Sequence, residues 1–152
     1  MADLTADQDI RILGKAYTER FLLETTGAQT VYRGQPIMID QTLDATGPVL
    51  AWVDANVAVD DVFMGIAVAG VSVGAGDPET TEVECYVGPT IVGFPNNVPL
   101  VDGLDVGKLV YKSDSKLLTL TATVNPELGY LWCVRDGYAY VLLETPKICV
   151  NV

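Results

Sequence analysis

From Val106 onward the chain alternates between short apolar runs and polar breaks. Val106–Lys112, Leu117–Val124, Gly129–Arg135 and Tyr138–Glu144 follow one another, broken by Ser113-Asp114-Ser115, Asn125-Pro126-Glu127 and Asp136-Gly137. Strands this closely spaced leave no room for helical crossovers, so the pattern predicts an antiparallel meander in an all-β barrel or sandwich. Leu117–Val124 alternates most cleanly, with Leu118, Leu120, Ala122 and Val124 on one side and Thr119, Thr121 and Thr123 on the other. Asp136-Gly137 is the strongest hairpin signal, since a type I′ turn needs positive φ at both central residues. Tyr130, Trp132, Tyr138 and Tyr140 flank it and are expected to pair across the hairpin.

Upstream, the period of two begins at Gln29. Thr30–Arg33 and Pro36–Asp40 surround Gly34-Gln35, a tight connection, and Gly47-Pro48 introduces Val49–Val53 with its Trp52. Val62–Val71 is apolar on both faces, which predicts either a central strand or one covered by another subunit. Gly65 and Gly70 are its expected bends or bulges. Gly74–Glu79 reads as an exposed loop. Glu82–Val87 alternates again, with Val83, Cys85 and Val87 opposite Glu82, Glu84 and Tyr86. Pro99–Asp105 reads as a further excursion before the strands resume.

Residues 1–28 differ from the β-patterned remainder, 29–152. Thr5-Ala6-Asp7-Gln8 has the form of a capping box, and Ile10, Leu13, Tyr17 and Phe21 recur at near-helical spacing, a pattern compatible with a short helix. Such a segment is too short to be stable alone. It either packs on its own domain or is an arm that orders on a neighbour. In the arm reading Ile10, Ile12, Leu13, Tyr17 and Phe21 are the contact residues, and removal of residues 2–22 leaves a folded domain.

Composition narrows the class. At 152 residues the chain is long enough to bury roughly 70% of its unfolded surface as one domain. It is 49% hydrophobic and 19% charged, which excludes wholesale disorder. No apolar run reaches the roughly 20 residues of a membrane span, and the acidic N-terminus lacks the pattern of a secretion signal, so synthesis in the cytoplasm is expected. The formal net charge is −11, and no Lys or Arg lies between Arg33 and Lys108. That stretch holds Asp40, Asp44, Asp54, Asp60, Asp61, Asp77, Glu79, Glu82, Glu84, Asp102 and Asp105. Such a surface repels phosphate backbones, so nucleic acid is a poor partner. It suits a solvated face better than a calcium site.

The catalytic inventory is thin. With no histidine in the chain, Ser-His-Asp and Cys-His mechanisms and cysteine-histidine zinc sites are excluded. The cysteines Cys85, Cys133 and Cys149 show no CxxC spacing, and the alternation around Cys85 predicts a buried, reduced thiol. Gly103–Leu109 partly resembles a phosphate loop but is one residue short between its glycines. Glu82 and Glu84 share a strand face about 7 Å apart, a spacing that glycosidase carboxylates also use, yet no aromatic platform neighbours them in sequence. No cofactor, metal or catalytic residue is expected.

The order and spacing of these strands resemble the small decoration, or capsid cement, proteins of tailed bacteriophages. The resemblance runs from about Thr30 to the C-terminus. It rests on Gly34-Gln35-Pro36-Ile37, the apolar Gly65–Val71 strand, Val106-Gly107-Lys108-Leu109-Val110-Tyr111, the threonine-rich strand, Leu128–Val134 and the terminal Tyr140-Val141-Leu142-Leu143. Trp132 and Cys133 depart from it, standing where small residues are usual, and the N-terminal segment is longer than in the simplest members. The resemblance implies a compact β-barrel or β-tulip, and homotrimers on threefold positions of an expanded head. They would bridge major capsid protein subunits at the virion surface, with an N-terminal arm reaching onto the shell. Alternatives are another phage structural β-domain (tail, connector or fibre-associated) or an acidic-site, calcium-binding enzyme.

Overall fold

The computed structural model describes residues 6–39, 50–51, 62–96, 103–112, 118–121 and 127–148. The chain is all-β and mostly antiparallel, and the described strands lie in open sheets rather than in a closed barrel. Two larger sheets and a two-stranded one make up the fold.

The first, here the outer sheet, is built from β1 (Arg11–Leu13), β9 (Ile91–Pro95), β10 (Leu109–Lys112), β11 (Leu118–Thr119), β12 (Glu127–Arg135) and β13 (Tyr138–Leu143), in the order β1-β9-β13-β12-β10-β11. Every neighbouring pair in it is antiparallel. The expected simple meander is corrected in one respect. β10 lies between β11 and β12, so β12 zips onto β10 and not onto the threonine-rich strand before it. Of that strand, Leu118–Thr119 pair and Leu120 bends, while Leu117 and residues 122–124 lie outside the described residues. The Asp136-Gly137 turn has positive φ at both residues, 55° and 77°, as a type I′ turn requires.

The second, here the middle sheet, contains β2 (Thr18–Leu23), β4 (Pro36–Ile39), β5 (Leu50–Ala51), β6 (Val62–Ala67), β8 (Glu82–Tyr86) and β14 (Lys147–Ile148). β6 pairs with β4, β8 and β14, and β2 runs parallel to β5. β3 (Gln29–Val31) and β7 (Val71–Val73) form the two-stranded sheet.

The last two sheets are joined by one folded ribbon. The register Gln29↔Val73 through Val31↔Val71 continues without slippage as Pro36↔Ile66 and Ile37↔Gly65. Residues 29–39 and 62–73 are therefore a single antiparallel pair bent at a corner. A bulge beside Gly65 shifts the pairing to Met38↔Phe63. The corner is tied by Ala67 N–H donating to Gln35 O and Gly34 N–H donating to Ala67 O, both at 2.9 Å. Arg33 braces it from the side, donating to Val68 O at 2.9 Å and Ile10 O at 3.3 Å.

Because the ribbon turns back, the middle sheet is covered on both faces. Between it and the outer sheet lie Ile10, Met38, Phe63, Ile66, Tyr86, Val92, Phe94, Val110, Leu131, Val141 and Leu143. Between it and the two-stranded sheet lie Leu23, Val31, Ile37, Ala67, Val73, Val83 and Cys85. The double-faced apolarity of Val62–Val71 is thus satisfied within the domain, with β6 as a central strand. Gln35 and Lys112 are buried with these residues. Lys112 Nζ donates to Gln8 Oε1 at 2.9 Å and sits 4.6 Å from the Phe94 ring centroid, anchoring the N-terminal segment.

That segment corrects the helical reading. Residues 11–13 and 18–23 are strands, and they give one strand to each large sheet. Gln8 N–H donates to Arg33 O, and β1 and β2 pair with β9 and β8. Ladder bonds along these two strands, of three and six residues, outweigh a weak helical period that few i,i+4 contacts support. Residue Thr5 of the capping box lies outside the described residues, and Ala6–Gln8 form no helix.

Two outcomes follow. Deleting residues 2–22 removes β1 and nearly all of β2, and should abolish the cooperative urea transition; a retained transition would contradict this pairing. Gly129 has φ 148°, and a Cβ there falls 1.9 Å from Leu142 O, whereas at Gly76 (φ 78°) no atom lies within 4 Å. Gly129→Ala should therefore cost roughly 3 kcal/mol or more in urea unfolding, and Gly76→Ala only about 1 kcal/mol.

Candidate functional site

The outer sheet has one face on the larger core and one turned away from it. Strand alternation places Ile12, Val92, Val141 and Leu131 in register on the core side. Their neighbours Leu13, Ile91, Leu142, Tyr130 and Leu109 form the adjacent row on the outward side, one from each of β1, β9, β13, β12 and β10. Leu13, Ile91, Leu142 and Leu109 are half-buried and Tyr130 is exposed. A bulge between Leu131 and Cys133 frees Trp132 from the ladder, and its side chain stands 52% exposed. The turn of 3-10 helix Gly103–Asp105 packs beside β12 through Gly107 N–H donating to Leu131 O, and brings exposed Leu104 and Val106 to the same edge. Exposed Tyr17 lies at the opposite edge, its N–H held by Thr90 Oγ1 at 2.8 Å beside Ile91. Together these side chains make a row of apolar groups across five strands of the sheet.

Cations frame it. Arg20 pairs loosely with Glu84 at 3.9 Å and Lys108 with Asp105 at 3.0 Å, while Arg33 and Lys112 are taken up internally. Among the described residues, Arg11, Lys15 and Arg135 have no carboxylate at ion-pair distance, and each lies over a tyrosine ring instead. The Arg11 guanidinium is 3.9 Å from the Tyr138 ring centroid and that of Arg135 is 5.5 Å from Tyr140. Tyr140 lies flat over Gly93, where a Cβ would come within 2.7 Å of the ring. Tyr138 donates its hydroxyl to Asp9, and that bond, with some burial, holds the phenol above its ordinary pKa.

The aromatic residues are therefore organised differently from the cross-hairpin pairs expected. Tyr138 faces Arg135, Tyr140 faces Cys133 and Tyr130 faces Leu142, while the ring contact is between Tyr138 and Tyr140 along one strand, at 6.5 Å. The proposed contact set is also dispersed. Ile10 is 3% exposed and belongs to the core, so it is unavailable to a partner. Ile12 packs partly on the same core and Phe21 on the smaller one, which leaves Leu13 on the outward side and Tyr17 exposed just ahead of β2. Spacing of three and four residues gathers side chains on a helix but scatters them on a strand. Trp132, Tyr130, Leu109, Ile91 and Leu142 are not among the contact residues expected from sequence, because only the pairing order lines them up. The one signal visible in sequence was apolar residues on both faces of 130–134.

On the middle sheet, β6 leaves β8 after Val68 N–H donates to Glu84 O, because β7 turns away to pair with β3. The gap is a cleft of about 220 Å³ lined by Arg20, Ala69, Gly70, Val71, Glu82, Val83 and Glu84. Glu82 is exposed and Glu84 half-buried at its rim. Among the described residues, no group of three or more His, Cys, Asp or Glu is placed to hold a metal ion. No described helix is long and apolar enough to cross a membrane. The residues Asp40, Asp44, Asp54, Asp60, Asp61, Asp102, Trp52 and Cys149 lie outside the described residues.

Cys85 lies beside this cleft on β8, fully buried as expected from its alternation. Burial, with a smaller push from the Glu84 charge, raises the thiol from 9.0 to about 12. No known protein family, curated protein or solved structure matches the chain.

The buried thiol has a pH consequence. Between pH 9 and about 12 the unfolded chain releases this proton while the folded one keeps it. Stability should fall there by up to about 1.4 kcal/mol per pH unit from this group alone. Cys85→Val should flatten that part of a urea-midpoint versus pH profile; an unchanged slope would contradict the burial of the thiol.

Proposed function

We propose that this protein is a structural component that works by surface matching, and that the surface it matches is the expanded head of a tailed phage. The observation that carries the first half is the apolar row across the outward side of the outer sheet, with Trp132 projecting from a bulge and tyrosine-stacked cations around it. An apolar row of this kind, held on a regular sheet, is pre-organised for docking.

The second half rests on the resemblance of strand order and spacing to capsid decoration proteins, together with an all-β chain suited to repeated lateral contacts. A shell under internal pressure gains resistance when a small protein bridges its subunits. Several weak contacts made at once exceed any one of them. In this reading copies sit as trimers at threefold positions, against the major capsid protein.

Electron microscopy of expanded heads incubated with the purified protein tests this directly. Added density at threefold positions and a raised melting temperature of the heads are expected. Heads without added density would overturn the assignment, and a hexameric ring in solution would point to a tail or connector component instead.

A further inference from the structure

β8 is paired along its whole length on one side only. Toward β2, Leu23 N–H donates to Thr81 O and Val87 N–H to Tyr17 O, both at 2.9 Å, with Phe21↔Val83 and Glu19↔Cys85 between them. Backbone groups alternate sides along an antiparallel strand, so Val83 and Cys85 turn theirs to β2 while Glu82 and Glu84 turn theirs away. On that far side β6 reaches only to Ala67↔Cys85, and the last bond is Val68 N–H to Glu84 O at 2.9 Å. The N–H of Glu84 and both backbone groups of Glu82 therefore face the cleft of about 220 Å³, where no described strand runs alongside. Across it lie Ala69 and Gly70, small and exposed. An open edge of this kind is a template for another strand.

The side chains around the edge set what that strand carries. Val83, buried in the smaller core, and Val71, packed against that core, both line the cleft, so an entering strand meets apolar groups on one face. Glu82 and Glu84 stand on the other face. Arg20, opposite Glu84 on β2, engages that carboxylate loosely at 3.9 Å, and among the described residues no cation lies at ion-pair distance from Glu82. A second copy using the same edge would set Glu82 and Glu84 against their own counterparts, and like charges so placed are destabilising. We propose that the free edge of β8 is a strand-addition site whose ligand is an extended segment of another protein, with an apolar residue between two cationic ones. The site belongs to the middle sheet and goes beyond the surface-matching reading, which it does not require.

Amide hydrogen exchange followed by NMR reads the site directly. In the free protein the Glu82 and Glu84 amides should exchange much faster than those of Val83 and Cys85. A blocked pentapeptide of sequence Thr-Lys-Val-Lys-Thr, in excess, should slow both by about tenfold or more. Its counterpart Thr-Glu-Val-Glu-Thr should leave them unchanged. Glu82→Pro removes an edge donor where no bond to β2 is lost, so that variant should keep the wild-type circular dichroism spectrum while the peptide no longer slows Glu84. Glu82→Gln keeps the donor and should bind the cationic peptide about threefold more weakly; it and the two peptides decide the matter should the proline variant not fold. Glu82 and Glu84 amides already protected in the free protein, or left unprotected by the cationic peptide, would overturn the proposal. So would equal protection by the acidic peptide, an unchanged affinity in Glu82→Gln, or undiminished protection of Glu84 in a folded Glu82→Pro chain. None of these results bears on binding to heads, which is measured separately.

Discussion

Residues 29–39 and 62–73 hold one antiparallel register across a corner, and the remaining architecture depends on that bend. A straight ribbon would leave one face of Val62–Ala67 without cover. Bent at 32–35, it lays Val31 and Val73 over Ala67, Val83 and Cys85, while Phe63 and Ile66 face the larger core. Backbone bonds from Ala67 and Gly34, and the Arg33 guanidinium on two carbonyls, keep the polar groups of the corner satisfied. Both faces of the middle sheet are buried, whereas on the outward side of the outer sheet Leu13, Ile91, Leu142 and Leu109 are half-buried.

That same bend creates the cleft. Once β7 follows β3, the upper part of β8 loses its neighbour, and a notch opens at Glu82–Glu84. The fold thus opens a cleft by diverting one strand and projects Trp132 by bulging another. Neither requires an unstable core.

Local pattern carried much of this. The Asp136-Gly137 turn, the bulge at Gly65, the buried thiol of Cys85 and the central place of Val62–Ala67 were all legible, because each follows from neighbours in sequence. What failed was long-range. Ile10, Leu13, Tyr17 and Phe21 satisfy a helical period by chance, whereas the pairing of Leu13 with Ile91 and of Leu22 with Glu82 decides their conformation. The order β12-β10-β11 and the alignment of Tyr130 with Leu109 and Leu142 likewise depend on which strands meet. The N-terminal period therefore points to a contact arm, whereas the outward row of the outer sheet is assembled from five separate segments.

The core of this account is that the outward side of the outer sheet is where the protein meets its partners. Hydroxyl-radical footprinting of dilute, dissociated protein against the same protein assembled on heads measures this residue by residue. Oxidation of Trp132 and Tyr130 should drop severalfold on assembly. Full reactivity of both, with protection confined to other surfaces, would contradict it.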